Sequence, residues 1–186
     1  MNLIVRRPAS SDIEQIHSLF ETTLLHTFEQ EAISVSISGD LEDEIEALKQ
    51  TLARDFASEG DLEYFLLACD GNRVIGTVAH GPSGRFMRAH VSADHARTPE
   101  IKCLYVHPDY QGRGIGSLLI AAIVRRLQSI GTEAVCFDSG YRQAQRRWIR
   151  KFGEPTVILP DHWAPGAPHM FWYRQLDQLA DWQSVK

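Results

Sequence analysis

The sequence is poor in cysteine, with only three in 186 residues. The number is odd, the spacing is wide, and each cysteine lies within an apolar stretch. A disulfide framework or a metal site would need paired or closely spaced cysteines. We therefore expect Cys69, Cys103 and Cys136 to be reduced thiols in the core of a cytosolic protein.

The sequence also lacks a long apolar run and an excess of basic residues. No stretch approaches the roughly 20 apolar residues that span a membrane, and the opening segment MNLIVRRPASSDIEQ has no apolar core. The formal net charge is −5, which disfavours a nucleic-acid partner. We expect a cytoplasmic protein that contacts neither membrane nor nucleic acid.

The order of helical and strand-like patterns predicts a mixed α/β fold. A short strand and two amphipathic helices come first, followed by two strand-like runs joined by a Gly-Asn turn. Residues 82–98 have the pattern of a loop or a frayed strand extension, and DHWAPGAP that of a loop joining the last two strands. Since the chain shows no linker and no repeat, we predict a single domain over residues 1–186.

Three glycines stand at alternate positions immediately before a helix-periodic run. In the segment HPDYQGRGIGSLLIAAIVRRL, Gly112, Gly114 and Gly116 follow a strand that proline ends. The first N–H groups of a helix have no acceptor within the helix, and glycine lets a ligand approach them. The spacing therefore indicates a phosphate or pyrophosphate bound at the N-terminus of the helix.

Two nucleotide-binding motifs fit these glycines poorly. A P-loop hydrolase or kinase would carry Gly-Lys-Ser/Thr at the end of the run, where this sequence reads GIGSLL. A dinucleotide-binding fold would place the run in its first strand–helix–strand unit and not late in the chain. The residues alone leave the identity of the phosphate compound open.

The segment EIKCLYVHPDYQGRGIGSLLI resembles the central motif of the GNAT superfamily of acyl-CoA-dependent N-acyltransferases. The shared features are Leu-x-Val, His-Pro, Gln-x-x-Gly-x-Gly and the helix that follows. The order of elements is similar to the family's from Leu3 to Leu176. The resemblance implies a GNAT-like domain with a central, mixed, twisted sheet of about seven strands. About four helices would flank the sheet, and strands four and five would splay apart.

The resemblance also implies acetyl-CoA as co-substrate and no metal. The backbone of strand four at Leu104, Tyr105 and Val106 would pair with the pantetheine arm. Around the pyrophosphate, the implied cofactor-binding positions are Gln111, Gly112, Arg113, Gly114, Ile115, Gly116 and Ser117. His162 and His169 lie on different elements at a spacing that disfavours a metal site.

Amine acylation needs a group that accepts the amine proton and a donor for the leaving thiolate. Glu100 opens strand four, where many family members carry a Glu that acts as the base directly or through water. His80, at the end of strand three, is a candidate substrate contact. His107 precedes a proline and is more typical of a residue that sets a turn.

The segment YRQAQRRWIRKFG departs from the family pattern on the thiolate side. Where many members carry a tyrosine that acts as the acid, counting from Ala144 places Trp148, and counting back from Gly153 places Ile149. Trp148 is expected to donate its indole N–H to the sulfur or to pack on the pantetheine arm. Tyr141 is the candidate acid that remains, and packing of Tyr141 with unassisted departure of the thiolate is the alternative.

Taken together, these features predict an N-acetyltransferase that moves an acetyl group from acetyl-CoA to a primary amine of a small molecule or a protein. Direct attack in a ternary complex is the expected route. Trp163 is a candidate substrate contact, or a hydrophobic anchor, near the last strand pair. The alternative is a non-catalytic module that binds and senses acyl-CoA. The resemblance also admits a homodimer, although no residue of this sequence argues for one.

Overall fold

The computed structural model describes residues 2–32, 38–92 and 95–180. In these ranges the strands are β1 (Leu3–Arg6), β2 (Tyr64–Asp70), β3 (Arg73–Gly81), β4 (Glu100–Val106), β5 (Ala134–Ser139), β6 (Val157–Ala164) and β7 (Ala167–Gln175). The helices are α1 (Ile13–Glu31), α2 (Ser38–Ala57), α3 (Arg85–His90), α4 (Ile115–Ser129), α5 (Arg142–Phe152) and α6 (Leu176–Ala180). The predicted α/β class is confirmed.

The seven strands form one mixed sheet in the order β1-β2-β3-β4-β5-β7-β6. The recorded pairs β1–β2, β2–β3, β5–β7 and β6–β7 are antiparallel, whereas β4 and β5 are parallel. The described register between β4 and β5 consists of one pair, Glu100 with Cys136. The splay of strands four and five stays a prediction.

The chain divides into two compact units, which share β4. The first unit comprises Met1–His80 and Cys103–Ile123, and the second comprises Gly81–Lys102 and Val124–Lys186. The first unit therefore carries the glycine run. The second carries Glu100, the strands β5, β6 and β7, and the helices α3, α5 and α6.

In the first unit, the apolar face of α4 packs on β3 through a glycine. A Cβ added at Gly76 would lie 3.0 Å from Leu119 Cδ1 and 3.0 Å from the carbonyl oxygen of Tyr105. Ile115 and Leu119 of α4 are fully buried there. Because the helix lies so close to the strands, its N-terminus and the glycine run before it have a fixed position.

In the second unit, buried aromatic side chains join β5, β7 and the end of α5. Phe137 of β5 stacks on Trp172 of β7 at 5.7 Å, and the Trp172 indole donates to the carbonyl of Gly153 at 2.9 Å. That glycine ends α5 with φ +77°, as the sequence indicated. Trp172 thus joins the strand pair β5–β7 to the end of α5.

The structure differs from the sequence prediction at three short elements. Residues 85–90 form the helix α3 and not a loop. Met87 of this helix is buried, and the N–H of the N-cap residue Gly84 donates to the Glu100 carboxylate. DHWAPGAP is mostly strand, since β6 runs to Ala164 and the turn to β7 is two residues long. Leu176–Ala180 form α6. The four predicted helices are the long ones, and the two additional helices are short.

The three cysteines are buried and unbridged, as the sequence indicated. Burial raises the pKa of the Cys136 thiol to about 11, with the Ser83 hydroxyl 3.4 Å away as a smaller opposing influence. No helix in the described part of the chain is long and apolar enough to cross a bilayer.

Candidate active site

The glycine run forms an open loop at the N-terminus of α4. Gly112 and Gly114 have φ of +74° and +80°, in the left-handed region that other residues rarely adopt. The N–H of Leu118 bonds back along the helix to the carbonyl of Gly114 at 3.0 Å. In an α-helix the N–H groups of the first turn precede the intrahelical ladder and are the ones a ligand can use.

Space over this loop is available for a ligand. A Cβ added at Gly112 or Gly114 would meet no protein atom within 4 Å. Gln111 is held by its own side chain, whose amide donates to the carbonyl of Val106 at 3.0 Å. Arg113 is exposed, with its guanidinium 5.3 Å from the Tyr110 ring. An anion over the loop would therefore meet helix N–H groups and a nearby cation.

His107 sets the turn that leads into the loop. Its backbone N–H donates to the carbonyl of Ile75 at 2.9 Å, and its Nδ1 lies 3.3 Å from the N–H of Asp109. Arg73 lies 3.1 Å from the other ring nitrogen. These contacts support the turn-setting interpretation of His107.

The strand before the loop contains a strained residue. Cys103 in β4 has φ +53°, and its carbonyl accepts from the Thr77 hydroxyl at 2.8 Å. Such a φ is uncommon for a residue other than glycine, asparagine or aspartate, and costs on the order of 1 kcal/mol. The kink changes the direction of the strand at residues 104–106, which are half-buried.

Glu100, in the second unit, is buried and held by a backbone hydrogen bond. Its Oε2 accepts the N–H of Gly84 at 2.6 Å, and Lys102 Nζ lies 3.8 Å away. Lys102 in turn donates to the carbonyl of Pro82 at 2.7 Å. The carboxylate therefore anchors the start of α3, in addition to any role as a base.

The second unit also contains a hydrogen-bonded chain that the sequence analysis missed. Asp138 of β5 lies 3.1 Å from His169 Nε2, and the Trp163 indole N–H donates to His169 Nδ1 at 3.1 Å. The spacing of Trp163 and His169 around a predicted loop hid this chain. Counting from the turn at 165–166 would have placed His162, and not Trp163, opposite His169, and the observed pairing of β6 with β7 is irregular, with Ala164 opposite Ala167 but Leu159 opposite His169.

The comparisons with known proteins agree with this architecture. The model of the acetyltransferase (GNAT) family matches residues 22–153. The chain belongs to the GNAT acetyltransferase family.

Solved structures with the same fold include enzymes of different specificity. PaiA N-acetyltransferase from Thermoplasma acidophilum, in complex with coenzyme A, is 15% identical with a TM-score of 0.67 over 94% of this chain and 99% of that one. Aminoglycoside 6'-acetyltransferase type Ii is 13% identical, with a TM-score of 0.62 over 93% and 97%. Ribosomal-protein-alanine N-acetyltransferase from Brucella melitensis is 15% identical, with a TM-score of 0.65 over 92% and 99%. No curated protein sequence matches the chain.

Two predicted residues of this acetyltransferase lie on α5. Tyr141 is the N-cap, its N–H donating to Ser139 Oγ at 3.1 Å and its carbonyl accepting from the N–H of Gln145 at 2.9 Å. Trp148 is half-buried, with ring centroids 4.9 Å from Phe137 and 5.2 Å from Phe152. Both side chains therefore have structural contacts in the second unit, and their roles toward CoA stay predictions.

The two predicted substrate contacts lie in different units. His80 ends β3 in the first unit, where it is buried and stacks on Tyr64 at 5.3 Å. Trp163 lies on β6 in the second unit and is 61% exposed. In the part of the acetyltransferase that the structure describes, no three His, Cys, Asp or Glu side chains converge as metal ligands.

Proposed function

We propose that this acetyltransferase moves the acetyl group of acetyl-CoA to a primary amine of a small molecule or a protein, by direct attack in a ternary complex. The observation that carries the proposal is the open loop before α4, with two left-handed glycines and no protein atom where a Cβ would point. This loop suits a pyrophosphate, and the family supplies the chemistry.

The residues that would hold acetyl-CoA are those of β4 and the loop. The backbone of Leu104, Tyr105 and Val106 would pair with the pantetheine amides. The backbone from Gln111 to Ser117 would hold the pyrophosphate, with Arg113 as a cation beside it. Trp148 would contact the pantetheine arm or the sulfur.

Direct attack is favoured over a covalent acyl-enzyme because of the state of Cys136. Burial raises the pKa of this thiol to about 11, so that almost none of it is thiolate near neutral pH. Only the thiolate is a useful nucleophile. Cys69, another buried thiol, also has a raised pKa because of its burial.

Glu100 would accept the proton that the amine nitrogen releases as it bonds to the carbonyl carbon, directly or through water. The N–H of Gly84 fixes the orientation of the carboxylate for that role. Tyr141 would return a proton to the thiolate of CoA. His80 would contact the acceptor.

Thermal unfolding with and without acetyl-CoA tests binding first, with ATP-Mg²⁺ and NAD as controls. A ligand at a hundred times its Kd adds about 2.7 kcal/mol of stability, which shifts the Tm visibly. Amine-dependent release of the CoA thiol then tests transfer, with an aminoglycoside, a peptide that begins with alanine and a linear polyamine as acceptors. A shift with ATP-Mg²⁺ and none with acetyl-CoA would contradict the proposal.

A further inference from the structure

The hydrogen bonds of His169 assign its tautomer. The indole N–H of Trp163 can only donate, so His169 Nδ1 is the acceptor in that 3.1 Å bond and carries no hydrogen. The hydrogen of the neutral ring is therefore on Nε2, where it points at the Asp138 carboxylate 3.1 Å away. This arrangement presents a basic nitrogen, Nδ1, on a ring that a carboxylate orients from behind.

The two partners of His169 differ in how firmly they are held. His169 is only 6% exposed and Asp138 belongs to the paired strand β5, whereas Trp163 is 61% exposed. The hydrogen bond to Nδ1 therefore comes from an exposed side chain. Another N–H donor that arrived from solvent would form a hydrogen bond to Nδ1 in place of the one from the indole.

Aromatic rings pack around the His169 ring. The centroid of the Phe86 ring, on α3, is 4.8 Å from that of His169, and the His162 and Trp163 centroids are 4.7 Å apart. The buried Phe171 ring has its centroid 4.8 Å from that of His169. The faces of such rings attract a cation, and Trp does so best. The surroundings of Nδ1 therefore suit an ammonium ion better than an anion.

We propose that the Asp138–His169 pair receives the acceptor as an ammonium ion and takes the proton that the ammonium must lose before attack, with Trp163 as the cover that the ammonium displaces. This inference rests on the proposed function and names the acceptor as a protonated primary amine. It gives Glu100 and His169 different protons: His169 takes the first, and Glu100 takes the one released during attack.

The proton balance of this step is complete. An N–H bond of R–NH₃⁺ breaks, its proton bonds to Nδ1, and the electron pair stays on nitrogen to give R–NH₂. The imidazolium that forms is stabilised by the Asp138 carboxylate at Nε2–H and later releases its proton to water. Among the described residues, the other titratable groups beside the ring are His162 on β6 and, in contact with Phe86 and His162, His90 of α3.

The decisive test is the pH dependence of kcat/KM for the amine in wild type and in H169Q. Without the proton acceptor, only the neutral amine in solution can react. The rate of H169Q should then rise about tenfold per pH unit below the amine pKa of about 10.4, whereas that of wild type should not. At pH 7 we expect H169Q to lose on the order of 10²-fold in kcat/KM, with the KM for acetyl-CoA unchanged.

A fluorinated analogue of the acceptor, whose amine is already neutral at the assay pH, is the matched control. H169Q should acetylate it about as fast as wild type does, which a merely structural defect would not allow. D138N keeps His169 but removes the carboxylate that orients it. The kcat/KM of D138N should therefore also rise with pH, less steeply than that of H169Q. If thermal unfolding shows that H169Q is not folded, the test is the comparison of D138N with wild type on the acceptor amine and on the same analogue.

The outcomes separate this inference from the proposed function. If wild type is active and H169Q has the same pH profile as wild type, the inference is wrong and the proposed function is unaffected. Wild type inactive with every amine would overturn the proposed function. Nitrogen-15 spectra of His169 would then decide the inference: n-butylamine should shift Nδ1 in wild type, and more strongly in W163F. An Nδ1 signal that does not respond would overturn it.

Discussion

Gly140 and Trp163 lie so close that a Cβ on Gly140 would come within 2.5 Å of the indole nitrogen. The same Cβ would lie 3.1 Å from His169 Nδ1. The absence of a side chain at Gly140 is therefore what admits the indole to its hydrogen bond with His169. The left-handed region is not involved at this glycine, so that steric fit alone decides the residue.

The variant G140A should push the indole off His169. Since Trp163 is mostly exposed, it can move at a low cost, and we expect a loss of about 1 kcal/mol or less in the free energy of unfolding. Tryptophan fluorescence should change, and denaturant unfolding gives the stability. In a W163A background the G140A change should have a smaller effect on both measurements, since only the 3.1 Å approach to His169 Nδ1 remains. An equal effect in both backgrounds would show that the indole is not what Gly140 accommodates.

The variant G114V should weaken CoA binding, because its side chain would enter the space over the loop and the residue would be strained at φ +80°. G131V is the matched control, since Gly131 has φ +75°, is also open to solvent, and follows the end of α4. Both variants should lose on the order of 1–2 kcal/mol of stability. Titration calorimetry with CoA should show lower affinity for G114V only, and equal affinities would argue against the loop as a pyrophosphate site.

Variants of Glu100 should separate its charge from its contact with Gly84. E100Q keeps an oxygen that accepts the Gly84 N–H, so its stability should be close to that of wild type while its turnover falls. E100A loses the hydrogen bond and should in addition lose about 1–3 kcal/mol of stability. Steady-state kinetics and denaturant unfolding measure both effects. If E100Q retained full turnover at every pH, Glu100 would act only as the anchor of α3.

The pair Arg6–Asp12 should make stability depend on pH in the acid range. Arg6 donates to both carboxylate oxygens, at 2.6 and 2.9 Å, and this contact lowers the pKa of Asp12. The folded pKa is below the unfolded value, about 3.9, so the pair stabilises the fold above that pH. The stabilisation is lost as the pH falls through the folded pKa.

The variant D12N should therefore be less stable than wild type at pH 7, by on the order of 1 kcal/mol. The difference should shrink below pH 3.9 as the wild-type carboxylate becomes protonated. Urea unfolding from pH 7 to pH 3 measures it. A difference that stayed constant with pH would assign the effect to packing rather than to charge.

The Cys136 thiol should resist alkylation in the folded protein, because it is buried and its pKa is raised to about 11. Iodoacetamide at pH 8 should label it only at the rate of unfolding, with the protein in urea as the positive control. Fast labelling of folded protein would show that Cys136 is accessible, and a covalent acyl-enzyme would have to be considered again.

The sequence by itself determined the elements whose signal is local. Glycines at 112, 114 and 116, a strand before them and an apolar stripe after them can form only a loop that opens a helix, and the resemblance to the GNAT family rested on this segment. The thiols of Cys69, Cys103 and Cys136 could be placed in the core from their apolar neighbours alone. Period and composition decide such features within one element.

Only the tertiary structure decided the features that join distant residues. The helix α3 depends on a bond from Glu100, 16 positions away, to its N-cap at Gly84. The chain Asp138–His169–Trp163 depends on the register of β5 with β7 and on the irregular register of β6 with β7. Neither contact produces a periodic pattern in the sequence, because the partners lie on different elements. Each of these residues, taken alone, is equally typical of a surface position.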